Sequence, residues 1–190
     1  MAKFCSLYSS SSGNATYIGT SQGGILIDVG VSAKKTADAL KNIGVDPNSI
    51  SAIFVTHEHS DHINGIRVFA ERHGTKVYAS EGTLSGMEDA GAITAKVKTD
   101  IIPKAGMEAG GIFIRPFRTP HDSRESCGYK IIFPHGQKAV VATDIGKITE
   151  TVEKALFGAE LVMLESNHDV AMLQSGAYPY YLKRRILSDV

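Results

Sequence analysis

Short apolar runs rich in β-branched residues recur along this chain, separated by glycine, proline and polar positions. They predict strands near 3–8, 15–19, 24–29, 51–56, 75–79, 96–102, 111–117, 128–133, 138–143 and 160–165. Between them, apolar residues at helical spacing predict helices near 33–43, 62–73, 81–89, 147–157 and 170–187. The second of these presents Ile63, Ile66, Val68, Phe69 and Ala70 as a candidate buried face. Gly23-Gly24, Gly110-Gly111 and Pro134-His135-Gly136-Gln137 read as hairpin turns, and His73-Gly74 reads as a helix end. Strands mixed with helices, with no repeat and no linker, indicate an α/β chain forming one domain over 1–190.

One window changes this picture. His57-Glu58-His59-Ser60-Asp61-His62 holds three of the seven histidines and follows the apolar run Ser51-Ala52-Ile53-Phe54-Val55. Imidazole and carboxylate are ligands that zinc, iron and manganese accept. Side chains of these types seldom crowd together unless a cation holds them. The window sits between a strand end and a helix start, where α/β folds tend to place their sites. His57 and His59 are two apart and share one side of an extended chain, whereas the adjacent Asp61 and His62 must diverge. The spacing therefore points to two metal ions, with His57 and His59 on one and Asp61 and His62 on the other.

The motif resembles His-x-His-x-Asp-His, the signature of the metallo-β-lactamase superfamily. His121 in Thr119-Pro120-His121-Asp122 resembles that family's third histidine for the first metal. Asp144, closing Val140-Val141-Ala142-Thr143-Asp144, resembles its metal-bridging aspartate. Asp28 in Ile25-Leu26-Ile27-Asp28-Val29-Gly30 resembles an aspartate that steadies the histidine loop from behind. The run Ser9-Ser10-Ser11-Ser12-Gly13-Asn14, with Glu165-Ser166-Asn167-His168-Asp169, is similar to the bacterial YycJ/WalJ group of nuclease-type metallohydrolases. The resemblance implies an αββα four-layer sandwich. It also implies His57, His59 and His121 on one ion, Asp61 and His62 on the other, and Asp144 bridging.

Two cations about 3.5–4 Å apart can share a hydroxide that attacks phosphorus in line. In that chemistry Asp61 orients the nucleophile. His168 is a candidate proton donor or substrate contact; a packing or supporting role is the competing reading. The serine run is either a polar turn or a rim loop whose Ser12, Gly13 and Asn14 hold phosphate oxygens. Cys127 reads as a small buried thiol rather than a soft ligand.

One departure from the family stands out. The chain stops at Ser188-Asp189-Val190 with no histidine after His168, where the family continues to a further ligand. The expectation is a sandwich lacking its C-terminal segment, whose exposed core edge favours a homodimer.

Composition narrows the setting. Hydrophobic content of 43% and charged content of 21% suit a globular chain, and no apolar stretch is long enough to span a membrane. Two cysteines and no signal-peptide core point to the cytoplasm. Net charge is zero, so no global basic field marks nucleic acid as a partner. The leading reading is a metal-dependent phosphodiesterase acting on DNA or RNA, exonuclease-like, with two divalent ions, zinc first and manganese or iron as alternatives. Hydrolysis of a small thioester, lactone or cyclic phosphodiester is the second reading, and an inactive metal-binding domain the third.

Overall fold

A computed structural model describes residues 2–164 and 170–186. Its first sheet runs in spatial order β1 (Lys3–Tyr8), β2 (Ala15–Thr20), β3 (Gly23–Ile27), β4 (Ile50–Phe54), β5 (Lys76–Ala79) and β6 (Thr99–Ile101). β1 to β3 form an antiparallel meander, and β3 to β6 are parallel. Parallel neighbours need crossovers, and helices supply them. α1 (Ala33–Asn42) links β3 to β4; α2 (Ser60–Ile63) and α3 (Ile66–His73) link β4 to β5; α4 (Glu81–Asp89) links β5 to β6. The second sheet has the order β11 (Leu161–Leu164), β10 (Lys138–Ala142), β9 (Cys127–Ile132), β8 (Ile112–Arg118), β7 (Met107–Ala109). It is antiparallel except where β11 joins β10 in parallel. α5 (Glu150–Leu156) packs against β8 and β10, and α6 (Val170–Ser175) and α7 (Tyr180–Ile186) follow β11.

The two-residue period of the strands sorts side chains into two cores. Ile18, Ile25, Ile27, Ala52 and Phe54 face the second sheet and meet Ile114, Tyr129, Ile131 and Val141. Tyr17, Leu26, Ile53 and Val55 point the other way and pack under α1, α3 and α4, against Leu40, Ile66, Phe69 and Met87. The order is helices, sheet, sheet, helix: the αββα sandwich. Phe54 stacks on Tyr78 with centroids 5.4 Å apart and meets Tyr129 edge-on at 5.8 Å. The Tyr129 hydroxyl donates to Val55 O at 2.6 Å, so a polar atom in the inter-sheet core is satisfied.

Most elements lie where the pattern predicts them, and the exceptions have physical causes. The helix expected over 62–73 is two helices, because Gly65 turns its N–H to Val29 O at 2.8 Å and leaves no room for a Cβ beside Val31 O. The helix expected over 170–187 is also two: Pro179 disfavours helical backbone at Tyr178, and a new helix starts at Tyr180. β7 and a short 3₁₀ turn at Pro47–Ser49 carry too few residues to show a period. Gly23 and Gly24 open β3 rather than forming the turn before it. The expected helix start at 147 moves to Glu150, where Thr149 caps α5 through Val152 N. The connections after β1, β3, β4, β8 and β10 meet at the same end of the sandwich.

Gly30 is the tightest of these junctions. A Cβ there would run into the Asp61 carbonyl, because Asn14 N donates to Asp61 O at 2.8 Å and Gly30 N to Asn14 O at 2.7 Å. Gly30→Ala should lower the urea unfolding free energy by about 1–3 kcal/mol, the usual cost of forcing a methyl into a filled space. A variant as stable as the parent would show that the loop around Asp61 yields freely.

Candidate metal centre

β3 ends at Ile27, and Asp28 leaves the ladder with φ 60. Its carboxylate is buried and fully engaged. Oδ1 accepts from Thr56 N at 2.8 Å, and Oδ2 from Thr56 Oγ1 at 2.8 Å; His62 Nδ1 also lies 2.8 Å from Oδ2. The only other non-glycine residue with left-handed backbone among the described residues is Asp144, φ 51, immediately after β10 and the short Ala142-Thr143 step. Aspartate tolerates that region better than most side chains, and such strain collects at functional sites.

The Asp28 contacts determine which ring nitrogens face inward. Thr56 Oγ1 spends its one proton on Asp28, so it must accept from His57 Nδ1, 3.0 Å away. The lone pair of His57 is thereby left on Nε2. That nitrogen is buried and has no hydrogen-bond partner among the described residues. His62 gives Nδ1–H to Asp28 and turns Nε2 inward, 3.0 Å from Asp144 Oδ2. His59 and His121 close the other side, with His121 Nε2 3.1 Å from His59 Nδ1.

Two donor triads result. His57, His59 and His121 form one; His57, His62 and Asp144 form the other; within each, the ligand atoms lie within 4.8 Å of one another. The triads have one member in common, His57, and its single Nε2 lone pair serves one ion. An orphaned imidazole nitrogen amid other nitrogen and oxygen donors fits a divalent cation. Asp61 stands one step out of both triads: Oδ2 is 3.6 Å from His62 Nε2 and accepts from Asn14 Nδ2 at 3.3 Å.

Charge is divided unevenly. Burial, assisted by His62, holds His57 down at about 2, so it is neutral. Burial also opposes charge on His62, but Asp28 and Asp144 outweigh it and lift the ring to about 10. Burial raises Asp144, yet the His62 contact wins and holds it below the usual carboxylate range. Burial lowers His121 as well. Cys127 is pushed up to about 12 by burial, and its thiol packs in the inter-sheet core; it remains a protonated thiol there.

The sequence-derived candidates fall into groups. His57, His59, His62, His121 and Asp144 converge. Asp28 lies behind them. Asn14 is buried with its amide nitrogen 3.1 Å from His62 Nε2, while Ser12 is exposed in the β1–β2 turn beside buried Gly13. His168 lies outside the described residues. Thr56 and Glu58 carry contacts that sequence reasoning missed; the position of Thr56 directly before the first histidine was the available signal. Asp122, also unassigned before, places Oδ1 3.4 Å from His121 Nε2 and 4.0 Å from His59 Nε2.

A family model described as the beta-lactamase superfamily domain matches residues 24–179. The chain belongs to the beta-lactamase superfamily, among its metal-dependent hydrolases. It is 38% identical to the exodeoxyribonuclease YycJ of Bacillus anthracis, over 98% of this chain and 71% of that protein. It is 36% identical to the exodeoxyribonuclease WalJ of Streptococcus pneumoniae serotype 2 (strain D39), over 99% of this chain and 71% of that one. Among solved structures, a Cronobacter sakazakii metallo-β-lactamase with a HARLDQ motif superposes with TM-score 0.67, covering 82% of this chain and 74% of its own, at 18% identity. That likeness speaks for the fold alone.

Two outcomes test this centre. In metal-free protein, His62, raised, contributes stability that is complete below about 6.5 and is lost as pH rises toward 10. His57, lowered, acts oppositely: below about 6.5 the unfolded chain takes a proton that the folded one refuses, so stability falls toward pH 2. The urea midpoint of the chelated chain should therefore peak near pH 6–7, with a shallower acid limb in His57→Ala. An unchanged acid limb would mean that His57 is not held neutral. Thr56→Val removes the hydroxyl that sets the His57 tautomer and should weaken divalent-ion affinity about 10–100-fold, with Thr56→Ser restoring it. Equal affinities in a calorimetric titration would remove Thr56 from the site.

Proposed function

We propose that this chain is a DNA exonuclease that hydrolyses phosphodiester bonds with two divalent cations, zinc first and manganese or iron as alternatives. The observation that carries the reading is the pairing of two adjoining donor triads with 36–38% identity, over nearly all of this chain and 71% of theirs, to proteins named exodeoxyribonucleases. His57, His59 and His121 would hold one cation. His62 and Asp144 would hold the other, with Asp61 beside them and Asp144 reaching toward both. Such ions acidify water and neutralise charge on phosphate oxygens.

The chain's own groups would do the rest. Asp61 Oδ2, steadied by Asn14, accepts a hydrogen bond from the attacking water and aims it. Asp28 and Thr56 keep His62 and His57 in the tautomers that present Nε2 inward. Ser12 and Gly13, on the loop stitched to Asp61, are candidates for phosphate contacts, and His168 for protonating the leaving alkoxide.

A cavity of about 620 Å³ opens beside the centre, walled by His59, Ser60, Asn64 and Arg67 and by residues 90–92. A small thioester or lactone does not need this room, whereas a polynucleotide strand does. Arg67 is exposed there, and a cation on that wall suits the phosphate backbone in a sequence-independent manner. The cytoplasm remains the proposed compartment; no helix among the described residues is long and apolar enough to cross a membrane. A homodimer is also a proposal, suggested by exposed Leu161, Val162 and Leu164 on edge strand β11.

Elemental analysis should find two divalent ions per chain, and fewer in His57→Ala. Single- and double-stranded DNA should be shortened from an end, with turnover reduced about 10³-fold or more in Asp144→Ala, on the scale of losing a metal's charge stabilisation. Arg67→Glu should raise KM for DNA and flatten its salt dependence while bis(p-nitrophenyl) phosphate turnover stays unchanged. Rapid cleavage of thioesters or lactones with DNA left intact would reject the nuclease reading. Full DNA turnover in Asp144→Ala would reject the centre.

A further inference from the structure

Glu58 sits inside the histidine motif, yet its side chain turns away from the metal donors. It crosses instead to the loop that carries His121. Oε1 accepts from Arg124 N at 2.8 Å. Arg124 is in turn anchored on α4, with Nη1 donating to Ser85 Oγ at 3.0 Å and Nη2 pairing with Asp89 Oδ2 at 2.6 Å. Gly86 of α4 makes room for the crossing, since a Cβ there would lie 2.6 Å from Glu58 Cγ. Oε2 is buried with no hydrogen-bond partner among the described residues.

A buried carboxylate oxygen without a partner is a cost to folding. An apolar side chain would avoid that cost but could not accept from Arg124 N, so the tie to the His121 loop is what this oxygen-bearing side chain provides. What it spans is informative. His59 follows Glu58 directly, and His121 lies one tight turn before Arg124, closed by Ser123 N to His121 O at 2.9 Å. The two rings they carry are brought to 3.1 Å, nitrogen to nitrogen. Nothing in the hydrogen-bond pattern of the sheets imposes that approach. The base of the His121 loop is closed by Ser126 Oγ to Thr119 O at 2.7 Å, well below its tip.

We propose that Glu58 is a positioning residue that sets the separation of His59 from His121, by tying the tip of the His121 loop to the histidine motif across α4. The proposal rests on the reading of His59 and His121 as ligands of one cation. It predicts a selective effect. His62 is held by Asp28, and Glu58 touches neither that pair nor Asp144 in any contact found among the described residues. Loss of Glu58 should therefore loosen one ion and spare the other.

The test is a Co²⁺ titration of the chelated 190-residue chain, followed by absorbance and checked by elemental analysis. Wild type should take two ions. Glu58→Ala should bind one ion as wild type does and the second at least 10-fold more weakly, the scale of losing an outer-shell partner. Glu58→Gln keeps an oxygen acceptor for Arg124 N and should bind both ions normally. Gly86→Ala pushes on Glu58 from α4 while favouring the helix itself, so it reproduces the Glu58→Ala phenotype in a folded chain. Two ions bound with wild-type affinity in both Glu58→Ala and Gly86→Ala would overturn the proposal. So would a Glu58→Gln variant as weak as Glu58→Ala, or an equal loss of both ions in a folded variant. A wild type that binds no Co²⁺ overturns it together with the metal reading. A wild type that binds two ions but leaves DNA intact defeats the proposed function alone, and the affinity comparison still decides the role of Glu58.

Discussion

The carboxylate of Asp28 is the constraint on which the rest of the centre depends. It stands where β3 leaves its sheet, and it accepts from the backbone and hydroxyl of Thr56 at the end of β4 and lies against the ring of His62 on α2. One buried anion thus joins three chain segments that hydrophobic packing alone would leave free to slide. In the metal-free chain its charge is compensated within hydrogen-bond distance by the His62 ring, which Asp28 and Asp144 hold well above the usual imidazole range. The left-handed backbone at Asp28 is a local strain sustained by these contacts.

From that anchor, order passes outward by hydrogen-bond direction. Thr56 has one proton, and giving it to Asp28 decides the tautomer of His57. His62 gives one ring N–H to Asp28 and so presents its other nitrogen to Asp144. Backbone bonds tie the remaining loops to this base: Cys127 N to Thr56 O at 3.0 Å, Gly146 N to Pro120 O at 3.0 Å, and Val29 N to His62 O at 2.9 Å. Loops from both sheets are therefore locked at one end of the sandwich, and residues far apart in the chain meet with little freedom left to lose when a ligand arrives. Preorganisation of this kind suits a metal-dependent hydrolase, because donors that must be gathered on binding cost affinity.

The serine-rich turn illustrates how one segment has two faces. Asn14 is drawn inward, its amide against Asp61 and His62, and its backbone bridges Asp61 to Gly30. Ser12 stays exposed on the same turn. A polar run that reads uniformly in the sequence is thus split between a structural clip and a rim. Glu58 is split in a comparable way from its motif: its neighbours point toward the donors, and it points toward α4.

Much was legible in the amino-acid order alone. Alternating apolar residues located the strands because burial on two faces imposes a period of two, and the histidine window stood out because no packing need explains it. Asp28 and Asp144 were singled out by resemblance at the ends of apolar runs, and His121 by resemblance alone. Breaks at Gly65 and Pro179, and the three-residue β7, escaped because a helix period carries across a short interruption and a strand that short has no period at all. The tertiary structure alone decided which nitrogen of each histidine faces inward, that Asp61 stands outside both triads, and that Glu58 bonds to Arg124. Each of these depends on a hydrogen bond between residues dozens of positions apart. Local sequence fixes which groups are available to bond; only the packing of two sheets decides which of them meet.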